Sequence, residues 1–196
     1  MKRIVLAAVL GGLTLFVWMF VAHDLLGLGE MGVGEIPNEA VVLSAMRGAI
    51  PETGFYIFPS FGLGPKPTRE QRNAAMPEYM KKYEQSPHGV VIYHPPSGPF
   101  NFGTLLGREF GLNVLQALLA AILLWCAASG RNYGARVGIV TIAGVLAAIS
   151  TNVEYWNWYE FPGNYVAGYI TTQIVGFVLA GFVIAAFVKN EAAVRS

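Results

Sequence analysis

The sequence predicts an α-helical integral membrane protein with four transmembrane helices and a small α/β extracytoplasmic cap between helices 1 and 2. The first observation is composition: 54% of the 196 residues are hydrophobic and only 13% are charged, whereas soluble domains carry about 25% charged residues. The second is distribution, because four stretches are almost free of charge. Each is close to the roughly 17–25 residues that an α-helix needs to cross a bilayer core.

The predicted helices are separated by connections of very different length. They span residues 4–22, 104–128, 136–159 and 164–188, and a cytoplasmic tail of residues 189–196 follows. The apolar part of helix 3 is short and needs the aromatic segment after it to complete a span. A cleaved signal peptide is the alternative for helix 1. Its apolar run is too long for a usual signal core and ends in bulky residues, so we expect an uncleaved anchor.

Basic residues predict the orientation. Lysine and arginine are enriched in short cytoplasmic loops. They lie before helix 1, between helices 2 and 3, and after helix 4, at Lys2, Arg3, Arg131, Arg136, Lys189 and Arg195. We therefore expect both termini in the cytoplasm, the cap in the periplasm, and a bacterial inner (cytoplasmic) membrane as the location.

The cap, residues 23–103, is predicted to contain a helix, a strand, a second helix and a second strand. Asn38 is the expected N-cap of the first helix, and Thr68 with Gln71 has the spacing of a capping box at the second. The strands are predicted at "GFYIF" and "HGVVIYH". Two strands alone are marginally stable, and Cys126 is the only cysteine. The cap must therefore be held by packing, by the membrane or by a partner rather than by a disulfide.

Aromatic residues are concentrated where the predicted helices leave the membrane. The segment "NVEYWNWYEFPGNY" follows the apolar run of helix 3. Tryptophan and tyrosine are enriched at both membrane–water interfaces. We interpret six residues as membrane anchors or interface residues: Trp18, Trp125, Tyr155, Trp156, Trp158 and Tyr159.

Polar residues near one end of the predicted bundle are candidates for ligand binding. An ionisable residue at the edge of a membrane helix is a candidate for function, so Glu154 is the most interesting single residue. With Arg108, Asn113, Gln116 and Asn152 it could line a pocket for a quinone, haem or lipid. The alternative is structural: an ion pair between Glu154 and Arg108, and hydrogen bonds between helices.

His23 and His94 are weak metal-ligand candidates, because both flank the predicted bilayer. Imidazole suits zinc, iron or copper, but neither histidine belongs to a metal-binding or haem-attachment motif. The alternative is that these histidines hydrogen-bond locally. The sequence specifies no cofactor, and the cap carries no basic stripe of the kind that binds nucleic acid.

Glycines recur in the predicted helices, where small residues let neighbouring helices approach closely. They are Gly11, Gly12, Gly138, Gly144, Gly168, Gly176 and Gly181.

At "NVEYWNWYEFPGNY", "GEMGVGEIPNEAVVLSAMRGAIPETGFYIFP" and "PHGVVIYHP" the chain resembles a family of bacterial four-helix membrane proteins with no established activity. The resemblance covers nearly the whole chain. It implies the four-helix fold and a bacterial source, and it assigns no catalytic residues.

The expected function is a non-catalytic accessory or structural subunit of a larger bacterial inner-membrane complex, for which energy-converting complexes are natural hosts. Its partners would be membrane lipid and either other membrane-protein subunits or further copies of itself. The sequence holds no catalytic motif to predict an enzyme. The alternative is an outer-leaflet protein that binds a quinone, haem or lipid, or an enzyme acting on such a ligand.

Overall fold

The computed structural model describes residues 1–189 and is mostly helical. The described chain forms, in order, α1 (Lys2–Phe20), α2 (Glu39–Ala49), β1 (Gly54–Phe58), α3 (Arg69–Gln85), β2 (Gly89–Tyr93), α4 (Phe102–Ala127), α5 (Tyr133–Ala148), α6 (Glu154–Tyr159) and α7 (Gly163–Phe187). A π-helical turn, Val21–Leu25, continues α1, and a second, Ile149–Val153, joins α5 to α6. The predicted tail from residue 190 onward lies outside the described residues.

Four helical segments are long and apolar enough to cross a membrane, which confirms the predicted number. They are Lys2–Leu25, Phe102–Ala127, Tyr133–Tyr159 and Gly163–Phe187. The third continues through the second π-helical turn into the aromatic segment, as the shortness of its apolar run required. Helix ends differ from the predicted ends by a few residues, as is usual for boundaries read from a pattern.

The chain divides into two compact units, and the first, the helical unit, holds these four segments. Neighbouring helices run antiparallel: α1 packs between α4 and α7, and α7 packs between α1 and α5. The core where they meet is built largely from alanines, with Leu124, Val140 and Ile184 as its largest fully buried side chains. Small residues let the helix axes approach closely, which maximises van der Waals contact between helices in a membrane.

Two glycines mark the closest approaches between helices. A Cβ atom at Gly12 of α1 would lie 2.6 Å from the Val114 Cα atom of α4. A Cβ atom at Gly144 of α5 would overlap the Phe177 side chain of α7. The prediction of close glycine contacts is thus confirmed at these positions. It is wrong at Gly138, where a Cβ atom would have no neighbour within 4 Å.

The second unit, the cap unit, spans Gly34–Pro99. Its strands β1 and β2 pair antiparallel, with Gly54 opposite Tyr93 and Phe58 opposite Gly89. Helix α3 begins with the predicted capping box. The Gln71 amide nitrogen donates to Thr68 Oγ1 at 3.2 Å, and the Thr68 amide nitrogen donates to Gln71 Oε1 at 2.8 Å.

Asn38 precedes α2 as predicted, but it does not cap the helix. Its side chain makes no capping hydrogen bond, and its backbone is left-handed with φ 56°. An N-cap residue normally has an extended backbone that directs its side chain at the first free amides. The left-handed conformation, which asparagine tolerates better than most residues, uses Asn38 for the turn into α2 instead.

The cap unit has almost no buried core. Of residues 34–99, Pro59 alone is buried, and no residue of α2 or α3 is. Aromatic stacking on α3 provides part of its cohesion: Phe61 stacks on Tyr79 with ring centroids 4.0 Å apart, and Tyr83 stacks on His88 at 4.2 Å. So little burial is in line with the marginal stability of two strands alone.

Candidate functional site

His23 lies in the first π-helical turn, at the end of α1 far from Met1. Its Nδ1 atom lies 2.9 Å from the Met19 carbonyl oxygen, and its ring meets the Tyr169 ring edge-on with centroids 5.8 Å apart. A carbonyl oxygen can only accept a hydrogen bond, so Nδ1 carries a proton. In the neutral ring the Nε2 atom is therefore a hydrogen-bond acceptor.

Glu109 and Asn113 form a hydrogen-bonded pair on α4. Asn113 is 3% exposed, and its Nδ2 atom donates to Glu109 Oε1 at 3.0 Å. The two residues are four apart, so they lie one turn apart on the same helix face. Asn113, a predicted ligand-binding residue, thus holds a half-buried carboxylate in place.

Between the end of α1 and the start of α4 lies a cavity of about 460 Å³, which we call the His23 cavity. Most of its lining is apolar, and its polar side chains are those of one histidine and two acids. The lining residues are Phe16, Met19, Phe20, His23, Asp24, Phe102, Leu106 and Glu109. An apolar cavity with a few convergent polar groups is typical of small-molecule sites.

The described residues do not assemble a metal centre. Nowhere in residues 1–189 do three side chains of histidine, cysteine, aspartate or glutamate come close enough to hold an ion together. His23 belongs to the helical unit, and His94 follows β2 in the cap unit. The metal role proposed for these two histidines stays a prediction, and the local hydrogen bond of His23 matches the alternative.

Asn152 lies in the second π-helical turn and connects two helices. It is 8% exposed, and its Nδ2 atom is 2.9 Å from the Ala148 carbonyl oxygen and 3.1 Å from Gln173 Oε1 of α7. Each π-helical turn thus has a side chain that donates to the carbonyl oxygen four residues earlier, His23 in one and Asn152 in the other. Such turns are rare and often occur at functional sites.

The remaining ligand-binding candidates do not join these groups. Arg108 and Glu154 are both exposed, and neither hydrogen bonds nor ion pairs link them to each other in the described chain. Gln116 is half-buried. The five predicted residues therefore fall into separate surroundings, and the expected ion pair between Arg108 and Glu154 is not formed.

The aromatic residues differ in their surroundings. The Trp18 indole N–H donates to the Thr172 carbonyl oxygen at 2.8 Å, so Trp18 packs against α7 as well as lying near a helix end. Tyr159 is half-buried. The other four predicted anchors present large exposed surfaces, with Trp158 the most exposed at 72%, followed by Trp156, Trp125 and Tyr155.

Two buried polar groups lack hydrogen-bond partners within the described residues. They are the Nε atom of Arg136, a residue 8% exposed, and Oγ1 of Thr172, a residue 2% exposed. The Arg136 guanidinium lies 5.9 Å from the centre of the Tyr133 ring, at a distance where a cation and an aromatic face attract. Arg136 was predicted only as an orienting charge, and it is also a packing residue.

The sequence did not indicate the His23 cavity, which brings together Asp24 and Glu109. Their positions 85 residues apart gave no signal that both line one space. Comparison of the chain with protein-family models, with curated proteins and with solved structures finds no match.

Proposed function

We propose that this protein is a non-catalytic accessory or structural subunit of a larger bacterial inner-membrane complex. In this proposal both termini are cytoplasmic and the cap unit is periplasmic, in accord with the basic residues that flank the helices. The single observation that carries the proposal is the cap unit's lack of a buried core. A compact unit that buries almost nothing of its own is suited to being covered by a partner.

One face of the two-stranded sheet is apolar and exposed. Side chains alternate between the faces of a strand. The register places Phe55 opposite Ile92, and Ile57 lies two residues after Phe55 on the same face. We call these three residues the sheet face. Phe55 is 49% exposed, Ile57 is 53% exposed and Ile92 is 68% exposed.

Covering the sheet face would be favourable. Full burial of an isoleucine or phenylalanine side chain contributes about 1.5–3 kcal/mol, so three half-exposed side chains leave several kcal/mol available to a partner. Aromatic residues are also enriched at the centres of protein interfaces. The proposed partner is another membrane-protein subunit, and a complex of energy conversion is the kind of host that we favour.

Native mass spectrometry tests this proposal on the protein extracted from its own membranes in mild detergent. We expect a mass well above the 21.2 kDa of the chain, with reproducible foreign subunits. The double variant Ile57→Thr/Ile92→Thr should release them. Threonine keeps the β-branched shape that strands favour, so the sheet should still form.

Val91→Thr is the matched control, because Val91 precedes Ile92 on β2 and its side chain points to the opposite face. It should leave the assembly intact. Recovery of the unmodified protein only as a monomer or homo-oligomer would contradict the accessory-subunit proposal. Equal release by the control and the double variant would instead assign the effect to cap stability rather than to the sheet face.

A further inference from the structure

We propose that the His23 cavity binds a membrane phospholipid through the primary ammonium of its head group. This inference goes beyond the subunit function and does not depend on it. Three features carry it: the dimensions and lining of the cavity, the hydrogen-bonding character of its polar groups, and the charge that those groups leave uncompensated.

The cavity has the dimensions and surface of a binding site for part of an amphiphile. Its volume of about 460 Å³ lies within the roughly 300–1,000 Å³ of typical ligand pockets. That space holds a head group and the upper part of the chains, not a whole phospholipid. Phe16, Phe20 and Leu106 offer apolar contact, and the two helices that form the cavity belong to segments able to cross a membrane.

The ionisable side chains lining the cavity present hydrogen-bond acceptors. Because Nδ1 of His23 donates to Met19, Nε2 of the neutral ring is an acceptor. Ionised carboxylates only accept, and of the Glu109 oxygens one already accepts from Asn113. A ligand that complements this set must therefore donate hydrogen bonds. A primary ammonium brings three donors and no acceptor.

The charge of the lining points to the same ligand. Within residues 1–189, neither Asp24 nor Glu109 forms an ion pair. Asp24 lies at the end of the segment Lys2–Leu25, and Glu109 lies about two turns after the start of Phe102–Ala127. Asp24 is exposed and Glu109 is half-buried, and both adjoin the apolar lining of the cavity. A head group that brings a positive charge to these carboxylates is therefore favoured over one that does not. A bare metal ion does not fit, since these side chains do not come together as a set of metal ligands. Phe16, Phe20 and Phe102 bring three aromatic rings to the same lining, and aromatic rings attract cations at their faces.

The test is native mass spectrometry of the delipidated full-length protein with three added lipids of identical acyl chains. Phosphatidylethanolamine has a primary ammonium, phosphatidylcholine has a cation without N–H donors, and phosphatidylglycerol has neither. At equal concentration we expect about tenfold more bound phosphatidylethanolamine than phosphatidylglycerol, since charge-assisted hydrogen bonds are the strong ones. Phosphatidylcholine should bind clearly less than phosphatidylethanolamine.

The double variant Asp24→Asn/Glu109→Gln should remove that preference. The amide at position 109 keeps an oxygen for Asn113, so the local structure should be preserved, and far-UV circular dichroism checks the fold. Glu30→Gln is the matched control, because Glu30 is an exposed carboxylate of the helical unit that does not line the cavity. It should bind the three lipids as the unmodified protein does.

Leu106→Trp gives a second test that leaves both carboxylates in place and fills the cavity. It should reduce phosphatidylethanolamine binding to the level of phosphatidylglycerol. Equal binding of phosphatidylethanolamine and phosphatidylglycerol to the unmodified protein would overturn the proposal. So would equal binding of phosphatidylethanolamine and phosphatidylcholine, or a preference that survives in the double variant.

Discussion

The contact between Gly12 and Val114 allows a quantitative test of how α1 and α4 pack. In Gly12→Ala the new Cβ atom would lie 2.6 Å from Val114 Cα and 2.8 Å from Val114 N. These are backbone atoms, so no side-chain rotation relieves the overlap and the two helices must separate. Overpacking of a close-packed core costs typically about 1–3 kcal/mol.

Helix propensity acts in the opposite direction in this variant. Alanine is favoured over glycine inside a helix by about 0.8–1 kcal/mol. We take the upper half of the overpacking range because the neighbouring atoms are backbone, so the net loss of unfolding free energy should be about 1–2 kcal/mol. That lowers the ratio of folded to unfolded protein by roughly 5–30-fold.

Gly111→Ala is the matched control, because it adds the same methyl group inside α4 at a position with no neighbour within 4 Å. Its free energy of unfolding should increase by up to about 1 kcal/mol from helix propensity alone. The unfolding free energies of both variants can be measured in mixed micelles with increasing sodium dodecyl sulfate, with tryptophan fluorescence as the signal. The reasoning fails if Gly12→Ala is as stable as Gly111→Ala, because the close approach of α1 to α4 would then be absent.

Two further predictions concern single hydrogen bonds. Trp18→Phe removes the donor to the Thr172 carbonyl oxygen and should lower the unfolding free energy by about 0.5–1.5 kcal/mol in the same assay; no loss would show that the bond contributes nothing. Thr68→Ala removes the cap of α3 and should weaken its first turn by about 1 kcal/mol. Hydrogen–deuterium exchange should then be faster at the Gln71 amide, and unchanged exchange there would contradict the capping role.

The elements most visible in the sequence are those defined by local chemistry. The strand β1 begins and ends where "GFYIF" does, because β-branched and aromatic residues lie between a glycine and a proline. The capping box of Thr68 and Gln71 is local in the same way, since both bonds form within four residues. The four long helices could be predicted from the length of the apolar runs and their low charge alone.

The direction in which a residue faces on one of the four long apolar helices could not be predicted in the same way. A helix that is apolar all round gives no stripe to tell the packed side from the exposed side. Trp18, interpreted as a membrane anchor, bonds to α7, and the pair Arg108–Glu154 is not formed. These outcomes depend on which helices pack against each other and through which faces, and the hydropathy of the sequence does not determine either.

The His23 cavity was hidden for a related reason. Glu109 and Asp24 are far apart in sequence, and their convergence depends on how α1 packs along α4. The π-helical turns add to this, because the sequences "VAHDL" and "ISTNV" contain no proline or glycine to mark a change of helix type. In each turn a polar side chain reaches back to a carbonyl oxygen, but Thr14 and Thr141 do the same inside α-helices, so this bond does not mark the turns in the sequence.

The second π-helical turn also changes the direction in which the side chains of α6 face around the helix axis, relative to those of α5. A π-helical turn accommodates one more residue than an α-helical turn, and one residue corresponds to a rotation of about 100° around the axis. Loss of a single residue from Ile149–Val153 would therefore swing the exposed rings of Trp156 and Trp158 by about a quarter of a turn. The buried contacts of α5 along α7 would keep their register. The extra residue of a π-helical turn can thus change the direction in which an aromatic surface faces without changing the packing of α5 against α7.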